Sequence, residues 1–148
     1  MDKMDKIESL NALHYDMGFL ETLSALKKTE LSKEKFGELL RKRMRDGMRG
    51  YVLIVDQKVV STSSMYIEQK FYGLVAHIED VATHEDHRRH GFGAKIMEHC
   101  FKIAREHGCY KVILDCNDKN VEWYSSLGLY RHENQMRKDL HNCLNECI

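Results

Sequence analysis

The sequence predicts a single α/β domain, a mixed and strongly twisted sheet flanked by helices, over residues 1–148. Three observations predict it. A chain of 148 residues has the size of one hydrophobic core and leaves two full domains cramped. Its apolar residues switch between a period of two and a period near 3.6, in the order strand, two helices, a run of strands, helix, strand, helix, strand. The apolar run Cys109 to Cys116 follows directly on a glycine-stopped helix that itself follows a strand, and such a strand-helix-strand unit sets its two strands parallel.

Ile7 to Leu13 alternates loosely and is read as the first strand. Phe19, Leu20, Leu23 and Leu26 then form one helical stripe, with Thr22, Ser24, Lys27 and Lys28 outside it. Ser32 can cap a second helix that buries Phe36, Leu39, Leu40 and Met44, exposes Arg41, Lys42, Arg43 and Arg45, and stops at Gly47 and Gly50. Tyr51 to Val55 and the segment from Val59 to about Gln69 read as a hairpin around Asp56-Gln57-Lys58. With no proline in the chain, turns fall to glycine, Asn, Asp and Ser, and Gly73 is the turn candidate before a strand from Val75 to Ala82. Regular alternation in that strand puts Glu79 and Asp80 on opposite faces. Gly91 to His107 carries Phe92, Ile96, Met97, Cys100, Phe101, Ile103 and Ala104 at helical spacing and ends at Gly108. A short helix, Val121 to Leu127, opens after Asp118-Lys119-Asn120 and closes at Gly128, and a last strand is expected from Leu129 or His132 to Leu140.

Composition excludes several classes. With 23 basic against 23 acidic residues, nothing favours bulk binding to nucleic acid or an anionic membrane, and 43% hydrophobic residues exclude compositional disorder. Apolar stretches of four or five residues are too short for a membrane helix. Met1-Asp2-Lys3-Met4-Asp5-Lys6 has no secretory pattern, which predicts a cytoplasmic protein, with import into an organelle by an internal signal left open. Five cysteines, an odd number without a disulfide or zinc spacing, read as reduced thiols: Cys100 and Cys109 in the core, Cys116 beyond, and Cys143 and Cys147 in a polar tail.

The chemistry concentrates where His77-Ile78-Glu79-Asp80-Val81-Ala82 leaves a strand and Arg88-Arg89-His90-Gly91-Phe92-Gly93-Ala94 opens the long helix. Two glycines at a helix N-terminus let several backbone N–H groups converge on one anion, and the helix dipole adds positive potential. This is the outline of a pyrophosphate cradle. It is not a dinucleotide fingerprint, because the third glycine and the following acidic residue are missing, and it lacks the Gly-Lys-Ser/Thr ending of a Walker loop. His84, His87 and His90 fit no zinc spacing, so no metal is expected. The basic run Arg41 to Arg45, interleaved with Glu38 and Asp46, reads as a solvated helix face.

Arg88-x-x-Gly91-x-Gly93 between strand and helix resembles the acetyl-CoA loop of the GNAT superfamily of N-acetyltransferases. With His77-Ile78-Glu79-Asp80-Val81, Gly108 to Cys116 and Asn120-Val121-x-Trp123-Tyr124, the likeness narrows to the glucosamine-6-phosphate N-acetyltransferases, strongest over Val75 to Leu140. The resemblance implies a sheet splayed at its centre to admit acetyl-CoA, a homodimer whose neighbouring subunit completes the substrate site, and a place on the route to UDP-N-acetylglucosamine. It implies that Val81, Ala82 and Thr83 pair with pantetheine, that amides from Arg88 through Arg89, His90, Gly91, Phe92 and Gly93 to Ala94 hold the pyrophosphate, and that Asn120 contacts CoA. Glu79 and Asp80 become candidates to take the proton of the attacking amine, directly or through water. Asp115 becomes a polar contact to that amine, the Val81 N–H the oxyanion donor, and Tyr124 the acid that meets the CoA sulfur and stabilises or protonates the departing thiolate. The sugar phosphate would meet Tyr110, Lys111 and Lys138, with Arg137 the alternative to Lys138, and Lys70, Phe71, Tyr72, Gly73 and Lys28 or Thr29 are further sugar contacts. Rivals are a GNAT enzyme acting on a protein or polyamine amine and a non-catalytic acetyl-CoA-binding regulator. Lys111 and Lys138 favour a phosphate, and Glu79, Asp80 and Tyr124 favour catalysis.

Overall fold

The computed structural model describes residues 4–141, so Cys143 and Cys147 lie outside the described residues. The chain forms two units, residues 1–114 and 115–148. The first holds a five-stranded sheet in sequential order, β1 (Asp5–Ser9), β2 (Arg49–Val55), β3 (Lys58–Lys70), β4 (Gly73–Thr83) and β5 (Lys111–Ile113). The first four are antiparallel in turn and β5 is parallel to β4. With it go α1 (Phe19–Leu23), α2 (Lys33–Arg45) and α3 (Phe92–Glu106). The expected mixed sheet flanked by helices is what forms, and β5 joins parallel because α3 is the crossover between it and β4.

Strand β2 is buried on both faces, the reason for its uninterrupted apolar run. Val52 and Ile54 pack with Phe19 of α1 and with Phe36 and Leu40 of α2. On the opposite face Tyr51 meets His99 of α3 edge-on, 4.8 Å between centroids. The β2–β3 hairpin turns on Asp56 and Gln57, at φ 50° and 63°, which matches the twist of the strands it joins. Gly50 sits inside β2 rather than ending α2, and the reason is steric: a Cβ there would stand 2.9 Å from both Cβ and Cδ2 of Leu10. Gly47, at φ 90°, follows the α2 C-cap, and Ser32 caps its start by accepting from the Lys35 N–H.

Several boundaries move. The first strand ends at Ser9 because Asn11 turns the backbone, its side chain accepting from the Leu13 N–H at 2.9 Å. Helix α1 closes at Leu23, leaving Leu26 exposed, and Met44 at the end of α2 is exposed as well. In the second unit a 3₁₀ turn (Asp118–Asn120) leads into α4 (Val121–Ser126). The expected last strand does not form: residues 129–140 have no regular structure, because a strand exists only by pairing and no described residue pairs with this segment. Among the described residues, no helix is long and apolar enough to cross a membrane.

Candidate functional site

Strand β4 organises the first unit's chemistry. β3 flanks it along nearly its whole length, but β5 pairs with it only from Val75 to His77. From Ile78 to Thr83 no described strand pairs with that second edge. Across β3, Ser64 pairs with Glu79 and Thr62 with Ala82, so the single residue Ser63 faces both Asp80 and Val81. That is a β-bulge, with Asp80 at φ 52°. It corrects the expectation of strict alternation: the extra residue breaks the period of two at Asp80, and a bulge also takes backbone groups out of the ladder. Glu79 is half-buried and Asp80 exposed. Side chains of β3 hold the bulge's flank, Ser61 Oγ donating to the Ala82 carbonyl at 3.1 Å and lying 3.0 Å from Thr83 Oγ1.

Beyond Thr83 the chain turns through a 3₁₀ segment (Glu85–His87), where His84 Nδ1 accepts from the Asp86 N–H. Arg89 and Gly91 take positive φ, 69° and 77°, and α3 begins at Phe92 with no side-chain cap on its first amides. Arg88, Arg89, His90 and Gly91 are exposed, while Phe92, Gly93 and Ala94 are half-buried. A 15-residue helix with uncapped leading amides and two exposed guanidiniums at its mouth can hold a diphosphate. His90 packs on Phe92, and His84 meets His87 edge-on.

A second group lies at the far end of β4. Lys70 and Gly73 close the β3–β4 hairpin around the exposed Phe71 and Tyr72. The Tyr72 and Tyr110 rings are 6.4 Å apart, Lys70 Nζ lies 5.7 Å from the Tyr72 centroid and Lys111 Nζ 5.4 Å from that of Tyr110. The Tyr110 N–H donates to the Leu74 carbonyl, which seats the ring over Gly73. Gly73 precedes Glu79 by six residues, about 20 Å at a strand's rise, so the hairpin tip stands apart from the bulge, whereas Lys111 is registered with Val75, only about 13 Å along β4 from Glu79. Behind it Glu68 accepts from His77 at 2.9 Å and lies 3.6 Å from Lys70. The His77 hydrogen bond, then the Lys70 charge, hold the Glu68 carboxyl below its usual range, and Glu68 in turn raises Lys70.

An open groove of about 510 Å³ runs between the α1–α2 loop and His84, lined by Leu20, Ser24, Lys28, Thr29 and Leu31 among others. Thr29 is anchored there, its hydroxyl donating to the Lys27 carbonyl and its N–H to Ser24 Oγ, and Lys28 pairs with Glu30 at 3.4 Å.

Within the second unit, Trp123 and Tyr124 meet edge-to-face at 4.8 Å. Burial, and then the neighbouring Cys116, push the Tyr124 phenol above its usual pKa. Asn120 precedes α4 directly, and Asp115 accepts from Gln135 Nε2 at 3.2 Å. Arg137 and Lys138 are both exposed, and Arg137 pairs with Asp139 at 2.7 Å.

Sequence reasoning missed the hydroxyl run Ser61-Thr62-Ser63-Ser64, which is wholly buried. Its signal was there, four small polar residues between Val60 and Met65 in an otherwise apolar strand.

Residues 17–129 match the acetyltransferase (GNAT) family. The chain is a GNAT acetyltransferase. It is similar to glucosamine 6-phosphate N-acetyltransferase 1 of Dictyostelium discoideum, 31% identical over 129 residues that make up 82% of each chain. It is also similar to the glucosamine 6-phosphate N-acetyltransferase of Candida albicans, 35% identical over 126 residues, 80% of this chain and 85% of that one. The crystal structure of the Arabidopsis thaliana glucosamine-6-phosphate N-acetyltransferase superposes with a TM-score of 0.87 at 31% identity, covering 94% of this chain and 100% of that one. The fold of this acetyltransferase is therefore the GNAT fold, an open mixed sheet flanked by helices, and GNAT acetyltransferases use acetyl-CoA.

Proposed function

We propose that this acetyltransferase transfers the acetyl group of acetyl-CoA to the amine of D-glucosamine 6-phosphate, giving N-acetyl-D-glucosamine 6-phosphate and CoA. The bulge at Asp80, on the stretch of β4 beyond its pairing with β5, carries the acetyl-transfer chemistry in this reading, and the names of the relatives support the acceptor. Backbone from Val81 to Thr83 pairs with pantetheine, the amides from Arg88 to Ala94 take the pyrophosphate, and Asn120 contacts CoA. In a ternary complex the neutral amine attacks the thioester carbonyl carbon, so a C–N bond forms as the C–S bond breaks. An amine with a pKa of about 8 is about nine-tenths protonated at pH 7, so the neutral tenth attacks, and a weak base, Glu79 or Asp80 with or without water, suffices to take the proton the nitrogen still carries once the C–N bond has formed. Asp115 orients the amine and the Val81 N–H meets the developing oxyanion. A Tyr124 phenol raised above its usual pKa is a weaker acid than a thiol of about 8.5. Its role is therefore to donate a hydrogen bond to the departing sulfur, and the proton taken from the amine ends on the thiol.

Tyr110 and Lys111, with Lys138 from the neighbouring subunit of a homodimer, hold the phosphate, and residues 1–148 act as one cytoplasmic catalytic domain. The test is acetyl-CoA-dependent thiol release with glucosamine 6-phosphate and, in parallel, with unphosphorylated glucosamine at equal concentration. Turnover of the phosphorylated sugar alone is expected. Turnover of neither, with acetyl-CoA still bound, overturns the acceptor and points to a peptide or polyamine amine.

A further inference from the structure

We infer that Arg43 is a positioning residue for acetyl transfer, acting through Ser64 on Glu79, an inference that rests on the function proposed above. Arg41, Lys42, Met44 and Arg45 on α2 are exposed, as a solvated basic face requires, but Arg43 is half-buried. Its Nη2 donates to Ser64 Oγ at 2.9 Å. Ser64 is itself buried, and its cross-strand partner on β4 is Glu79. Directly opposed residues of an antiparallel pair share a face of the sheet. The face is fixed independently, because the adjacent Ser63 points the other way, to Cys100 of α3 at 3.5 Å. The next registered pair is Thr62 with Ala82, so Ser64 and Glu79 form the last regular pair before the bulge at Asp80.

A half-buried arginine thus donates to the hydroxyl opposite a candidate catalytic carboxylate. Taking that cation partly out of solvent costs free energy that a solvated helix face would not incur. A serine hydroxyl that accepts from arginine keeps its own proton to give, and a carboxylate can only accept. The relay from Arg43 through Ser64 fixes the carboxylate's orientation and places positive charge on its face of the sheet, while pinning the end of α2 to the strand just before the bulge.

The test uses the full-length chain with Arg43→Met, Ser64→Ala, their double variant, and Ser64→Thr, which keeps the hydroxyl. Arg43→Met and Ser64→Ala should each lower kcat about tenfold while KM for either substrate stays within about twofold, and the double variant should be no worse than the singles. Ser64→Thr should recover most of the loss. Hydrogen exchange of the peptide spanning residues 79–83 should quicken in Arg43→Met. A fall in melting temperature with kcat unchanged, or full additivity in the double variant, overturns the relay. If Arg43→Met fails to fold, the contrast between Ser64→Ala and Ser64→Thr decides. Should the wild type fail to acetylate glucosamine 6-phosphate, the proposed function falls. Exchange at residues 79–83 then still reads Arg43 directly, with unchanged protection overturning its role and faster exchange supporting it.

Discussion

The Tyr110 ring lies so close over Gly73 that a Cβ at position 73 would stand 2.8 Å from its Cδ1. Gly73 also has φ 142°, a backbone conformation that side-chain-bearing residues rarely adopt. Gly73→Ala should therefore destabilise the fold by about 1–3 kcal/mol and displace Tyr110. Because Tyr110 is a proposed phosphate contact, KM for the sugar phosphate should rise more than KM for acetyl-CoA. Thermal unfolding and steady-state kinetics on the one variant check both; an unchanged sugar-phosphate KM removes Tyr110 from the phosphate site.

Tyr124→Phe deletes a hydroxyl whose interaction strengthens only as thiolate forms. Its kcat should fall by about 10²-fold with acetyl-CoA affinity nearly unchanged. Comparing kcat with the dissociation constant for acetyl-CoA tests this, and equal kcat would take Tyr124 out of the mechanism.

Arg137 and Lys138 are both exposed, but Arg137 pairs with Asp139 at 2.7 Å, a partner it would have to give up to meet a phosphate. Lys138→Ala should raise KM for the sugar phosphate by about tenfold and Arg137→Ala by less than about twofold, the difference expected for loss of a charge-assisted contact. The reverse ranking would assign the phosphate to Arg137.

Acid should weaken the fold through Glu8 and Glu68. The hydrogen bond from His14, then that from Lys6, lowers Glu8, and His77 with Lys70 lowers Glu68. A carboxyl whose folded pKa lies below its unfolded value stabilises above the unfolded pKa, near 4.5, and that contribution is lost as pH falls through the folded value. Melting temperature measured from pH 6 to pH 3 should therefore drop below about 4.5. The slope should be shallower in Glu68→Gln, and an identical slope would show that the pair makes no contribution.

Burial pushes the Cys100 thiol up to about 11, whereas Cys116 is exposed. At pH 8 only about one Cys100 in a thousand is thiolate, so iodoacetamide should label Cys116 and spare Cys100 in the native protein. Peptide mass spectrometry reads both sites, and early labelling of Cys100 would contradict its burial.

Much of this could be seen in local order along the chain. Ser32 as a cap, the Asp56-Gln57 turn, the stripe of Ile96, Met97, Cys100 and Ala104, and the glycine loop before α3 each depend on residues within a few positions of one another. A capping hydroxyl, a turn at positive φ and an amphipathic period are set by the backbone's own geometry, and that is why they could be read without coordinates. The same holds for the parallel pairing of β4 and β5, which follows from the length and hand of one crossover.

Three things waited on the tertiary structure. The bulge at Asp80 is a mismatch of count between β3 and β4, and no single strand reveals how many residues its partner will set against it. The inward turn of Arg43 needed Ser64, 21 positions away in sequence, to stand within reach. The strand expected from Leu129 or His132 to Leu140 remains irregular because strand formation needs a second edge, which no described residue supplies. Period, caps and turns belong to the sequence because their partners are neighbours along the chain; register, bulges and buried charge belong to the fold because their partners are brought together only by folding.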